Sequence, residues 1–166
     1  MAHNYYLQQN FPLNWNSITV CSRLANQQNT VTAQGRADPQ EDTVIVIQNC
    51  RIVPDGALFP DRLVVKSYLG RPWRSLANTV IMESEIGDVI DPAGYLEWPG
   101  NNMDTAFYGE YANRGPGAVT TGRVKWAGVK TISRAEAMKY TSTAVLESKN
   151  TWLAATGEPY LTGLKN

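Results

Sequence analysis

Apolar residues recur in short runs rich in Val, Ile and Thr, bounded by Gly, Pro, Asn and Asp: "NTVTAQG" at 29–35, "DTVIVIQNCRI" at 42–52, "NTVIMESEI" at 78–86 and "AVTTGRVKW" at 118–126. Runs of this length and composition predict strands, hence an all-β body. Setting "VIQNCRI" over "VIMESEI" aligns Val, Ile and the closing Ile at an offset of 34, and "TVCSRL" (19–24) fits the same frame loosely, with Leu24 under Ile52 at an offset of 28. Such a repeat suits the stacked coils of a solenoid, and the even strand spacing suits a sandwich equally well.

The pattern changes at Ser133. "SRAEAMKY" sets Ser and Glu136 at capping-box spacing and predicts a helix over about 134–140, and a second short helix is expected near 150–155, stopped by Gly157 and Pro159. The first sixteen residues are aromatic (Tyr5, Tyr6, Phe11, Trp15) but follow neither period, so 1–20 is expected to be an unmatched lead-in and 21–166 the folded part.

The length, 166 residues, is that of one domain, and 43% apolar with 18% charged residues describes a globular chain. Fifteen basic and fifteen acidic residues cancel, which removes the electrostatic case for a nucleic acid partner. No run of 18 apolar residues predicts a membrane span, and the first residues lack the basic and apolar regions of a secretory signal. Cys21, Cys50 and the single His3 cannot supply a zinc site, so neither metal nor cofactor is expected; the two cysteines read as buried free thiols or, in an oxidising compartment, one disulfide.

The chemistry concentrates in "YLGRPWR". Pro72 stiffens the chain after Arg71 and Gly70 permits a close approach before it, so the guanidinium is presented from a rigid loop. Its planar fork of donors suits a carboxylate. Trp73 offers a flat face for a sugar ring, and "PAGYLEWPGNN" (92–102) is a loop whose Tyr95 and Trp98 could extend an aromatic groove. A structural Arg–Asp pair and a core Trp explain the same residues. Asp38, Asp91 and Glu97 stand in turn sequences, Glu83 and Glu85 alternate on one face read as solvated, and no Ser–His–Asp set or phosphate loop is present.

"TAQGR", "LGRPW", "PAGYLEW" and "YGEY", in this order between about residues 24 and 161, resemble the C-terminal half of the plant-type pectin methylesterases. The resemblance implies a right-handed parallel β-helix with short C-terminal helices on its flank. It implies a methyl-esterified polygalacturonate (pectin) substrate, an extracellular cell-wall location and a pectinesterase inhibitor protein as a partner. In that family one aspartate attacks the ester, a second serves as acid and base, and glutamines stabilise the oxyanion. The arginine of "LGRPW" holds the nucleophilic aspartate and its tryptophan lines the groove; these positions are Arg71 and Trp73, while Tyr95 stands where many members have tryptophan. Cys50 matches the family's "QNC" cysteine and Cys21 is implied as its partner one coil earlier. The family's "DFIFG" and "QA"-type segments are not found here. The chain is therefore expected to be inactive alone, either part of an esterase or a pectin-binding module without catalysis.

Overall fold

The computed structural model describes residues 5–8, 17–22, 27–146, 152–157 and 160–165. Strands β1 (Tyr5–Gln8), β2 (Ser17–Val20), β3 (Asn29–Thr32), β4 (Ile45–Gln48), β5 (Arg51–Pro54), β6 (Ser67–Gly70), β7 (Asn78–Met82), β8 (Glu85–Ile86), β9 (Phe107–Tyr111) and β10 (Val129–Thr131) precede three short helices, α1 (Arg134–Ala137), α2 (Ser142–Leu146) and α3 (Trp152–Ala155). The strands form sheets of order β1-β4-β7-β9-β10, β2-β5-β8 and β3-β6, with every pairing parallel. Successive coils thus stack strand on strand, as in a parallel β-helix.

The 34-residue offset read from the sequence is the observed register: Val46 pairs with Val80 and Ile52 with Ile86. The same spacing extends to β2, where Ile18 pairs with Ile52, so the offset of 28 proposed for this run is replaced by 34. Leu24 itself lies outside the described residues. The lead-in contributes two paired strands, β1 and β2, because Tyr, Leu, Ile and Val at these positions supply strand propensity in runs too short to show a period. Coils shorten along the axis of the large sheet: Tyr5 faces Ile45, 40 positions on, Thr79 faces Tyr108, 29 on, and Tyr108 faces Val129, 21 on.

The run 42–52 is two strands, not one. Asn49 adopts φ 52°, and Glu83 and Ala112 repeat this left-handed corner at φ 53° and 48° in the next coils. The three are stacked, since Asn49 donates to Met82 O (3.0 Å) and Glu83 N to Tyr111 O (2.8 Å). Asn tolerates this backbone region, whereas Glu and Ala adopt it at a cost that the surrounding ladder offsets. The corner also turns Glu83 away from solvent, contrary to its expected exposed face. It is 2% exposed, and its carboxylate accepts from Gln48 Nε2 (2.7 Å) and Lys165 N (2.7 Å), fastening the C-terminal segment to the coils.

Strand alternation divides the apolar residues between two clusters. Ile47, Ile81 and Tyr108 point into the coils with Ile52, Leu69 and Ile86. Val46, Val80 and Met82 point outward, where Ile132, Ala137, Tyr140 and Val145 cover them. Each fully buried aliphatic side chain contributes about 1.5–3 kcal/mol. Helix α1 begins as expected, with Ser133 Oγ accepting from Glu136 N (3.2 Å), and α3 falls inside the second predicted helix; α2 was not anticipated.

The run 118–126 is not a strand. Thr120, Thr121 and Gly122 form a turn closed by Arg123 N donating to Thr120 O (3.1 Å), and only Val124 joins the neighbouring coil, through Ala93 O (3.0 Å). This turn delivers Arg123 into the interior, where Nε donates to Glu110 Oε1 (2.8 Å) and Nη2 to Glu110 Oε2 (3.1 Å), each side chain being 4% exposed. The pair lies inside the last coil and ties its turn, through Arg123, to β9.

The implied disulfide is absent: Cys21 and Cys50 are both free. The register explains this, because Val20 pairs with Pro54 and Asp55 N donates to Val20 O (2.9 Å), placing Cys21 past β5 while Cys50 occupies the corner before it. Burial pushes the Cys50 thiol up to about 11, its bond to Gln48 O opposing only in part. At pH 8 the native protein is expected to give one thiol equivalent with a water-soluble disulfide reagent, from exposed Cys21, and two after unfolding. Two equivalents, or none, in the native state would contradict this arrangement.

Candidate functional site

Beyond Gly70 the chain continues alongside the preceding coil, with Arg71 N donating to Thr32 O (3.0 Å) and Trp73 N to Gln34 O (3.1 Å). Asn101 Nδ2 braces the other side through Pro72 O (2.8 Å) and Trp73 O (3.1 Å). Gln34, 7% exposed, accepts from Arg36 N (2.8 Å) and Asn78 N (3.1 Å) and donates to Thr43 Oγ1 (3.0 Å), so "TAQGR" anchors the loop that "LGRPW" forms. The glycine of that motif is required by contact: a Cβ at Gly35 would stand 2.8 Å from Trp73 Cε3. Trp73 lies over Gly35 with 52% of its surface exposed, open to a flat ligand.

Arg71 Nη2 donates to Glu97 O (3.0 Å), and its guanidinium lies 4.2 Å from the centre of the Trp98 ring. Its Nε is shielded from solvent and has no hydrogen-bond partner. No ion pair to Arg71 occurs among the described residues. The structure therefore supplies the rigid presentation expected of Arg71 and, among the described residues, no carboxylate paired with it.

Tyr95 differs from its expected place at the groove surface. It is 2% exposed, with its hydroxyl donating to Glu110 Oε1 (3.2 Å) and its ring centre 4.3 Å from that of Tyr108. The cause is its bridge to Gly70, which makes it part of the sheet and turns it into the coil. Burial, reinforced by the Glu110 charge, holds its hydroxyl well above the usual tyrosine range. Trp98, from the same loop, is the aromatic ring that reaches Arg71; "EWPG" signalled a loop ring but not its cationic neighbour.

The turn carboxylates serve turn geometry. Asp38 Oδ1 accepts from Gln40 N (2.8 Å) and Asp91 Oδ1 from Ala93 N (2.9 Å). Glu97 meets Arg71 through its backbone carbonyl. Sequence reasoning missed the Glu110–Arg123 pair, whose only signal was two charged residues inside otherwise apolar strand-like runs. It also missed an exposed apolar strip, Phe59, Leu63 and Val64, at 56%, 72% and 77% exposure.

The chain is thus a stacked parallel solenoid, a parallel β-helix, with an arginine–tryptophan loop on one face. Residues 13–149 match the Pectinesterase family, and the chain belongs to it. It is 53% identical over 142 residues to the tomato (Solanum lycopersicum) "Pectinesterase/pectinesterase inhibitor U1", covering 84% of this chain and 24% of that protein. It is 47% identical to a carrot (Daucus carota) pectinesterase, covering 84% of this chain and 44% of that one. Among solved structures, carrot pectin methylesterase superposes with a TM-score of 0.85 at 45% identity over 89% of this chain and 47% of that one. Aspergillus niger pectin methylesterase follows at 0.64 and 30% identity over 82% and 40%. The chain thus spans less than half the length of these relatives.

Proposed function

We propose that this chain forms the arginine-and-tryptophan side of a pectinesterase groove. In the intact enzyme the groove hydrolyses methyl esters of cell-wall polygalacturonate, releasing pectate and methanol. The 166 residues alone bind the polymer and leave its esters intact. The observation that carries this reading is Arg71, braced on a rigid loop beside the exposed Trp73, with no carboxylate paired to it among the described residues. A charge-assisted Arg–carboxylate pair would keep a nucleophilic aspartate ionised and aimed. Without nucleophile and oxyanion donors, hydrolysis falls by on the order of a million-fold.

Tyr95 serves this groove from beneath, as the core support of the sheet that carries Arg71. The family setting supports an extracellular, cell-wall location, and a pectinesterase inhibitor as partner accords with the names of several relatives, which couple the two activities. Among the described residues no helix is long and apolar enough to cross a membrane.

The test pairs methanol release from methylated pectin with pectin binding by the same purified sample. No release is expected, with binding that weakens about tenfold in Trp73→Ala, the loss of one stacking surface. Release abolished by Arg71→Ala would overturn the non-hydrolytic reading, and failure to bind pectin at all would overturn the groove itself.

A further inference from the structure

Tyr108 lies beneath the arginine loop. It is 0% exposed on β9, and its ring packs between Tyr95, at 4.3 Å, and Trp126, at 6.3 Å between centres. Gly70, the residue before Arg71, makes this approach possible: a Cβ there would stand 3.2 Å from Tyr108 Cε1. The neighbouring Tyr95 hydroxyl is satisfied by Glu110. The Tyr108 hydroxyl is buried with no partner, and so is Arg71 Nε. Buried polar groups are nearly always bonded, so an unsatisfied pair on adjoining residues of one site marks a missing acceptor.

The chemistry of the acceptor follows from the two donors. An arginine Nε–H can only donate. Burial raises the Tyr108 phenol far above its ordinary value, the Arg71 charge offsetting this only in part, so the phenol keeps its proton and can donate too. Two neighbouring donors, one of them cationic, complement an anionic oxygen.

We propose that Tyr108 Oη and Arg71 Nε donate to the same carboxylate oxygen, which makes Tyr108 a second binding residue for the carboxylate that Arg71 addresses. This rests on the reading above, in which Arg71 addresses a carboxylate. Tyr108 then supplies the direction of approach, since a second fixed donor restricts where the oxygen can sit.

The experiment uses the full 166-residue chain labelled with 15N-arginine and 13Cζ-tyrosine. Acetate is the probe, chosen because the two atoms are shielded, and chloride matches the ionic strength. The Arg71 Nε–H resonance, assigned through Arg71→Lys, is expected to move downfield and exchange more slowly as acetate is added. The Tyr108 Cζ resonance should titrate in parallel. In Tyr108→Phe the acetate affinity should fall about tenfold. Tyr140→Phe, whose ring stacks on Phe107 in the outer cluster away from the arginine loop, should keep the wild-type response. Repeating the titration with a de-esterified galacturonate oligomer tells whether a sugar carboxylate reaches the site as a small ion does.

An Arg71 response that is equal in wild type and Tyr108→Phe overturns the inference, as does no response in either. Should Tyr108→Phe not fold, the Tyr108 Cζ titration in the wild type decides. Pectin binding that is weakened in Trp73→Ala but unchanged in Tyr108→Phe, with no acetate response, leaves the proposed groove standing and removes Tyr108 from it.

Discussion

Replacing Arg123 by Met is expected to destabilise the protein by about 3–5 kcal/mol, the cost of leaving a buried charge without its partner. Arg123 and Glu110 are each 4% exposed and share two hydrogen bonds, and Arg123 further donates to Pro92 O (3.1 Å) and Gly117 O (2.7 Å). The variant loses all four and strands the Glu110 carboxylate with only the Tyr95 hydroxyl. A natural control is the Arg51–Glu85 pair, whose side chains are 49% and 39% exposed; Arg51→Ala should cost no more than about 1 kcal/mol. Urea unfolding of both variants measures the contrast. The claim also predicts a rescue: the triple change Glu110→Leu, Arg123→Met, Tyr95→Phe removes the charges and the orphaned hydroxyl together and should recover most of the loss. An Arg123→Met protein within 1 kcal/mol of wild type would mean that the terminal coil does not depend on this pair.

The second large effect is steric and involves no lost contact. At Gly128 a Cβ would fall 1.7 Å from Ala106 O and 2.8 Å from Ala106 C, so Gly128→Ala must displace backbone in the adjacent coil. The same residue's carbonyl accepts from Tyr108 N (2.9 Å), so the displacement is carried into the ladder. We expect a loss of about 3 kcal/mol or more, at the upper end of overpacking effects. Gly56 is the counterpart, with no atom within 4 Å of its Cβ position. Gly56→Ala should be neutral or stabilise by about 0.4–1 kcal/mol, through the reduced freedom of the unfolded chain. Unfolding midpoints at constant m-value give both numbers, and equal midpoints for the two variants would reject the steric account.

The parts of the fold legible in the sequence were those that depend on local chemistry or on a repeated frame. The match of Val46 to Val80 and of Ile52 to Ile86 is a pairing register, because parallel coils set identical positions one above another. The Ser133 cap was readable for a different reason, since a capping side chain answers amides within its own turn. What stayed hidden depends on contacts distant along the chain. The bend at Asn49 falls in the short polar stretch Gln48-Asn49, which also fits the alternation of a single strand, so one run was read where two strands exist. Glu83 alternates correctly for a solvated face, yet a left-handed corner and the distant Lys165 amide draw it inside.

The site divides in the same way. The rigid presentation of Arg71 and Trp73 was visible because Gly and Pro constrain them from within the motif. Tyr95 and Trp98, two rings of one loop, could not be told apart: only the bridge from Tyr95 to Gly70 decides which faces the interior. Arg123 resembled a surface residue of a strand, and only the turn before it shows why it enters the core beside Glu110.

The shortening of the coils, from 40 residues between Tyr5 and Ile45 to 21 between Tyr108 and Val129, has a thermodynamic meaning. Loop-closure entropy grows only with the logarithm of length, so the longest coil costs about 0.6 kcal/mol more to close than the shortest. The strands fix the rise of the stack whatever the excursion between them. Residues can therefore be added or removed at a coil's outer loops with almost no penalty, and the walls flanking Arg71 can be raised or lowered between relatives without renegotiating the coils that hold it.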